Sequence, residues 1–332
     1  TAGTTTITAT QTGDTSYNAA TAASQNLTVG YYNLFKESIS GMALWYDGNN
    51  VDADSTPDVK SNGDAIYQWS DGSGNTRHAT TGTASAAAAY EASALNGKGA
   101  LRFAVGDTLD LNPTVSGVKS VFTVFKQTSD GSADTKLLGG DLVTSSTAEK
   151  VALKRDGGTG LIDSGISSSS YNVVSYEAAA NAYALFVNGA SGGTGTDSQA
   201  IGALNKVGNN VPSIIAEIVA FDRVLPSLAR QKIEGYLAHK WGLESQLPSV
   251  HPYKIVLPTF GGNQEIVFQP LPDRQAGQTV DLSVEASSGL TAFTFDCNDT
   301  TVASISGTTV TALKDGKVTI TATQAGDGNW HL

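Results

Sequence analysis

The sequence predicts an all-β protein made of more than one sandwich and carrying a single helix, and three observations carry that expectation. Thr, Ser, Gly, Asn and Asp dominate its polar residues while charged residues make up only 15% of the chain, which is the composition of short strands joined by many turns. Runs of β-branched and aromatic residues recur at short intervals between clusters of turn residues,. One segment shows helical spacing with a start and a stop signal. At 332 residues, 40% of them hydrophobic, the chain is too long for one ordinary core and reads as a large domain with smaller units around it.

Taken in order, the first element is a strand that the chain uses twice. Gly3 to Asp14 (GTTTITATQTGD) aligns with Gly316 to Asp327 (GKVTITATQAGD) at an offset of 313 residues. Both copies alternate β-formers, turn at Gly-Asp and then meet an aromatic, Tyr17 in one and Trp330 in the other,. The first copy continues through Ser24 to Val29, which reads as one further strand; the second copy stops before its counterpart. Two strands alone are marginal in water and an open sandwich edge invites pairing, so each end is expected to need a partner. In one reading the chain is a window on a longer array, completed in cis by neighbouring residues. In the other, the N-terminal segment of one molecule adds a strand to the C-terminal unit of the next, in trans. Residues 1–19 duplicate what the C-terminal unit already has, which favours the window.

Between about Gly30 and Pro258 the texture changes to long Gly-, Asn- and Ser-rich loops around short strand-like runs such as Ala100 to Phe103, Ser120 to Lys126, Lys150 to Leu153, Tyr183 to Val187 and Ile214 to Phe221. The helix is expected next: Pro226 suits a first turn, Leu228, Ile233, Leu237 and Trp241 recur at near-helical spacing, and Gly242 can end it,. After it come Ile266 to Phe268, Thr279 to Val284, Ala292 to Phe295, Val302 to Ile305 and Thr308 to Leu313, at the spacing of a small β-sandwich,.

Several of these stretches resemble known families. Residues 281–290 (DLSVEASSGL), 302–310 (VASISGTTV) and 318–324 (VTITATQ) resemble the bacterial immunoglobulin-like repeats of large surface proteins. The stretches 43–47 (ALWYD), 69–75 (WSDGSGN) with His78-Ala79, 95–98 (LNGK), 185–189 (LFVNG), 215–225 (IAEIVAFDRVL) and 234–243 (EGYLAHKWGL) resemble laminin G-like, concanavalin A-like jelly-roll domains. The resemblances imply three parts: terminal strands of an Ig-like repeat at 1–29, a jelly roll at 30–258 with its helix near the C-terminal end, and an Ig-like repeat lacking its last strand at 259–332. They also imply two packed antiparallel sheets whose concave face or loop rim binds glycans, an extracellular or cell-surface location, and neighbouring Ig-like repeats as partners.

A formal net charge of −11 disfavours nucleic acid as a partner and favours divalent cations. No apolar run approaches the ~20 residues of a membrane span, and no signal segment opens the chain. The single cysteine, Cys297, rules out an intrachain disulfide and is expected to be a small buried hydrophobe.

The sharpest ligand signal is the loop Asn50-Val51-Asp52-Ala53-Asp54-Ser55-Thr56-Pro57-Asp58, followed by Asn62 and Asp64. Alternating carboxylates present hard oxygens to calcium, and Asp52, Asp54, Thr56, Asp58 and Asp64 are the candidate ligands, although the central glycine and distal Glu of an EF-hand loop are missing. Asp71 with Asn75 is a second candidate; both residues equally suit turns in which they satisfy backbone amides. The same jelly roll hosts glycanases, but the Glu-x-Asp-x-x-Glu pattern is absent, and Glu217 and Asp222, five apart, point to opposite faces of a regular strand. His78, His239, His251 and His331 have no metal spacing, and no nucleophile-elbow or phosphate-cradle motif occurs,. The expectation is a non-enzymatic surface module, adhesive or structural, with a carbohydrate-binding module as the alternative. Trp45 and Trp69 are expected in the core; Tyr31, Tyr32, Tyr90 and Tyr171 lie nearer loops.

Overall fold

The computed structural model describes residues 3–11, 20–29, 39–54, 57–128, 137–139, 144–146, 150–154, 161–179, 182–196, 202–208, 212–258, 262–263, 266–286, 289–325 and 330–331. Its strands in chain order are β1 (Gly3–Gln11), β2 (Ala20–Val29), β3 (Met42–Asp47), β4 (Ala65–Ile66), β5 (Gln68–Trp69), β6 (Ala79–Thr80), β7 (Ala88–Leu95), β8 (Lys98–Phe103), β9 (Leu109–Val115), β10 (Ser120–Gln127), β11 (Thr144–Ser146), β12 (Lys150–Lys154), β13 (Leu161–Ser167), β14 (Asn172–Ala179), β15 (Ala182–Val187), β16 (Ala190–Gly195), β17 (Leu204–Val207) and β18 (Ser213–Phe221). Helix α1 (Ser227–Trp241) follows, then β19 (Gly262–Asn263), β20 (Ile266–Phe268), β21 (Thr279–Asp281), β22 (Val284–Ala286), β23 (Phe293–Cys297), β24 (Ala303–Ser306), β25 (Thr309–Ala312), β26 (Ile320–Gln324) and β27 (Trp330–His331). Among the described residues the protein is all-β apart from α1 and three-residue 3₁₀ turns, and the sheets are antiparallel except for the short β19–β27 pair. Among the described residues no helix is long and apolar enough to cross a membrane.

The middle of the chain is built on a nine-stranded sheet in the order β16-β15-β14-β10-β18-β8-β7-β4, with β3 pairing β18 beside β8. Strand β18 is central and buried at all nine positions, because the sheet is covered on both faces. On one face Leu44, Tyr46, Leu101, Ile215 and Ile218 meet Leu109 and Leu111 of the four-stranded sheet β17-β9-β6-β5 and Val151 and Leu153 of the three-stranded sheet β11-β12-β13. On the other, Trp45, Phe122, Val219 and Phe221 pack against Ile233, Tyr236, Leu237 and Trp241 of α1. Burying each large apolar side chain contributes roughly 1.5–3 kcal/mol, so the two clusters hold the helix and three sheets together.

A register shift in β18 sets which residues face the helix. Val124 of β10 opposes Glu217 and Phe125 opposes Ile215, leaving Ala216 as the extra residue of a bulge,. Before the bulge Ile214 and Ala216 face α1; after it Val219 and Phe221 do. Glu217 therefore falls on the helix side of the sheet.

Helix α1 starts after Pro226, and the backbone amide of Leu228 in its first turn donates to Glu285 Oε2 on β22 at 3.1 Å, a carboxylate at the positive end of the helix dipole. It ends at Gly242, whose φ of 69° is left-handed; Asn96 Nδ2 donates to the Trp241 carbonyl at 2.9 Å and fills the space a Cβ at Gly242 would need,.

The C-terminal strands form β21-β25-β24, β23-β26 and β20-β22 around a small core of Leu282, Cys297, Ala303 and Val310. The run expected over 279–284 divides into β21 and β22, which join different sheets: the Leu282 amide donates to the Thr308 carbonyl at 2.8 Å beside β25, while the next residue, Ser283, accepts the Gln269 amide at 3.1 Å beside β20. Near the N-terminus β1 and β2 pair antiparallel, with Gly3 opposite Val29 and Ile7 opposite Gln25.

Candidate functional site

The acidic loop leaves β3 at Asp47 and returns at β4. Its carboxylates are mainly turned on its own backbone. Asp47 Oδ1 accepts from the Asn49 amide at 3.0 Å, Asp52 Oδ1 from the Asp54 amide at 3.2 Å, and Asp64 Oδ2 from the Ser61 amide at 2.8 Å. Asp58 accepts the Val51 amide on one oxygen and Lys60 Nζ at 3.0 Å on the other. Asn50 Nδ2 donates to the Asp54 carbonyl at 2.7 Å, while its Oδ1 is buried without a partner. Asp52, Asp54 and Asp64 are exposed and Asp58 is half-buried; Thr56 lies outside the described residues. Among the described residues no three His, Cys, Asp or Glu side chains converge in a way that could hold a metal ion.

The second candidate pair sits in the turn after β5. Asp71 Oδ1 accepts the amides of Trp45 at 3.0 Å and Ser73 at 2.9 Å, and Oδ2 accepts Ser73 Oγ at 2.8 Å and the Arg77 amide at 3.0 Å. Asn75 Nδ2 donates to the carbonyls of Met42 at 3.0 Å and Ala43 at 3.2 Å. Both residues thereby tie this turn to β3.

The most concentrated polar chemistry lies between sheet and helix, around Glu217, which sequence reasoning considered only beside Asp222. Glu217 is fully buried. Its carboxylate accepts Trp45 Nε1 at 2.8 Å and Trp241 Nε1 at 2.7 Å, and meets Lys240 Nζ at 2.6 Å. Lys240 also reaches Asp47 Oδ2 at 2.7 Å, so one ammonium joins α1, β18 and the root of the acidic loop. Burial alone would depress the Lys240 ammonium, but Asp47, Glu217 and Tyr236 overcome it and hold its pKa well above the ordinary lysine range. The pattern Trp45…Glu217…Lys240-Trp241 is visible in the sequence only once the bulge has been seen.

A second buried network lies further along the helix. Arg230 Nη1 contacts Glu234 Oε1 at 2.7 Å and Oε2 at 2.9 Å, its guanidinium stacks 3.6 Å from the Phe186 ring centroid, and Ser175 Oγ donates to Glu234 Oε1 at 2.5 Å. His251 Nε2 lies 3.4 Å from Glu234 Oε2. Glu177 Oε2 is 4.0 Å from Arg230 Nε. Burial pushes the Glu177 carboxyl up to about 7; Arg230 draws it down, while Glu234 and Glu285 add to the rise. Asp222, the partner considered for Glu217, follows the end of β18 and gives its amide to the Gly41 carbonyl at 2.9 Å.

The aromatic residues are mostly interior. Trp45, Trp69 and Trp241 are 0–1% exposed, and Tyr46 stacks on Trp69 with centroids 5.3 Å apart. Tyr90 and Tyr171 are buried too, and Tyr31 and Tyr32 lie outside the described residues. Tyr67 is an exposed aromatic ring, at 48%.

No family model and no curated protein matches the chain, so sequence comparison shows neither laminin G-like nor immunoglobulin-like repeats. Solved structures similar to it include a Trypanosoma rangeli sialidase, at 12% identity and a TM-score of 0.40 over 57% of this chain and 31% of that one. Domain 4 of a GH43 extracellular arabinanase from Geobacillus stearothermophilus, in complex with arabinotriose, matches at 12% identity and a TM-score of 0.38 over 56% of this chain and 94% of that one. The CBM40 of a Ruminococcus gnavus IT-sialidase, bound to α2,3-sialyllactose, matches at 16% identity and a TM-score of 0.31 over 39% of this chain and 92% of that one. The chain thus spans about a third of the length of the sialidases it matches.

Two predictions follow from the buried networks. Lys240→Met leaves Glu217 and Asp47 buried without their cation and is expected to cost about 3–5 kcal/mol of stability, measured by urea denaturation at pH 7. Glu177 titrates near 7 in the folded chain against an ordinary 4.5, so the folded state holds the extra proton between those values. Its contribution is fully present below about pH 4.5 and is lost as pH rises through 7. Glu177→Gln should therefore flatten the fall in stability between pH 5 and pH 8 by roughly 3 kcal/mol, read from unfolding midpoints in wild type and variant.

Proposed function

We propose that the chain is a non-enzymatic, extracellular module whose middle sandwich binds glycan at its rim. The observation that carries this reading is Tyr67. Its ring stands exposed where the chain crosses from β4 in the large sheet to β5 in the four-stranded sheet, with exposed Gln68 and Thr80 paired beside it. A tyrosine ring offers an apolar face for the C–H face of a sugar and a hydroxyl for hydrogen bonding. The concave-face mode suggested by the sequence resemblance has no free surface near the middle of the large sheet: α1, with Trp45, Phe122, Phe221 and Trp241, fills that face.

Glycoside hydrolysis needs two carboxyl groups flanking the scissile bond. The carboxyls with raised pKa, Glu177 and Glu217, are instead enclosed against α1 and engaged with Arg230 and Lys240. That use of the acids supports the non-catalytic half of the proposal.

The test is a glycan array probed with labelled chain, repeated with Tyr67→Ala. The variant should bind roughly tenfold more weakly, about 1.4 kcal/mol, and should melt at the wild-type temperature because Tyr67 is half outside the core. An array with no bound glycan, or unchanged binding by the variant, would sink the rim reading.

Calcium at the acidic loop belongs to the same proposal, supported by the unpartnered Asn50 Oδ1 beside the exposed Asp52 and Asp54,. Calcium titration should raise the melting temperature, and Asp52→Ala with Asp54→Ala should abolish the rise; no shift in the wild-type chain removes calcium from the reading.

A further inference from the structure

Lys240, Asp47 and Glu217 bring one amine and two carboxyls into direct contact in a dry part of the molecule. Lys240 Nζ lies 2.7 Å from Asp47 Oδ2 and 2.6 Å from Glu217 Oε2. Asp47 and Glu217 are register partners on β3 and β18, so the two carboxyls reach the amine from neighbouring strands. The side chain of Glu217 is 0% exposed, that of Asp47 9% and that of Lys240 15%. The rings of Trp241, Tyr236 and Trp45 stand around Nζ, with centroids at 5.4, 5.6 and 5.9 Å.

An amine held against a carboxyl away from water has the geometry of an amide before condensation. With Nζ in contact with Asp47 Oδ2, the carboxyl carbon is at most one C–O bond further off, and fixing the two groups together removes the entropic cost of a bimolecular step. Asp47 Oδ1 accepts the Asn49 amide at 3.0 Å, a donor placed where negative charge develops when the carbon is attacked. Burial raises the Glu217 carboxyl and draws the Lys240 ammonium down; Asp47, Glu217 and Tyr236 hold that ammonium charged as long as the carboxyls are ionised,. Passing one proton from Nζ to Glu217 cancels both charges at once and leaves a neutral amine beside Asp47.

We propose that Lys240 and Asp47 condense into an intramolecular amide that ties α1 to the end of β3, with Glu217 carrying the protons. The Nζ–Cγ bond forms and the Cγ–Oδ2 bond breaks. Of the three ammonium protons one stays on the amide nitrogen, and two leave with Oδ2 as water, passed on by Glu217, which ends as it began. No oxidant, reductant or cofactor is consumed. The bond closes a loop between residues 193 apart in the sequence, and a covalent link across so long a span restricts the unfolded chain as a disulfide does. It acts on no separate substrate and is independent of glycan binding at Tyr67, so Tyr67→Ala should carry it unchanged.

The test is the mass of the full chain, measured after denaturation and followed by tryptic digestion. The main species should be lighter than the sequence by one water, and the digest should hold a branched peptide joining residues 37–60 to residues 233–254, uncleaved at Lys240. Lys240→Arg and Asp47→Ala should each restore the full sequence mass. Glu217→Gln keeps the side chain's shape but cannot take up and return a proton, and should also show the full mass. A wild-type chain at the full sequence mass overturns the bond, whether or not any variant folds. So does a lost water without the branched peptide, as a cyclic imide at Asp47-Gly48 would give. A branch joining residues 233–254 to residues 207–223 places the bond on Glu217 instead and overturns the assignment to Asp47. A folded Glu217→Gln chain that still forms the bond overturns the part given to Glu217.

Discussion

Glu217 has no access to water, and a carboxylate in that position must have its charge met by hydrogen-bond donors and a cation or give it up. Here Trp45 on β3, Trp241 and Lys240 on α1 meet it, and Lys240 in turn reaches Asp47. The partners of one side chain thus come from β3 and the helix, and through Lys240 the network reaches the root of a loop. Any rearrangement that moves the helix off the sheet exposes an unpaired charge to the core, so the helix has one seat rather than many.

That seat decides what the sandwich can offer a ligand. A sheet with one solvated face could present its aromatic residues to a sugar; this sheet buries Trp45, Phe122 and Phe221 under α1 on one face and Tyr46 and Phe103 under two smaller sheets on the other, where Tyr46 meets Trp69 of β5. The exposed Tyr67 and the acidic loop lie instead on the loops and edges around it. The acidic loop is held to the same arrangement, since Asp47 joins it to Lys240 and the Gly48 amide donates to the Ala216 carbonyl at 2.8 Å, at the bulge.

The C-terminal unit follows a different regime. Among the described residues its core cluster holds four buried side chains, against the two large clusters of the middle unit, and small cores have little apolar burial to set against chain entropy. Contact with the larger unit helps: Glu285 caps the first turn of α1, and Arg223 lies against Gly289.

Much of the architecture was legible in the sequence. Short alternating runs between turn residues announced an all-β chain because a strand's period of two is a local property. Pro226, the apolar spacing and Gly242 marked the helix because capping and left-handed φ are also local. Trp45, Trp69 and Cys297 went to the interior as their chemistry demands. What the sequence left undecided was everything fixed by pairing at a distance. The bulge at Ala216 is a relation between β18 and β10, and it alone turns Glu217 toward Lys240, 23 residues on. In the 50–64 loop, residue type shows the carboxylate oxygens but not the amides and the lysine that Asp52, Asp58 and Asp64 meet. Local chemistry determined the strands, the turns and the helix; which charges meet and which face is closed were decided only when the sheets came together.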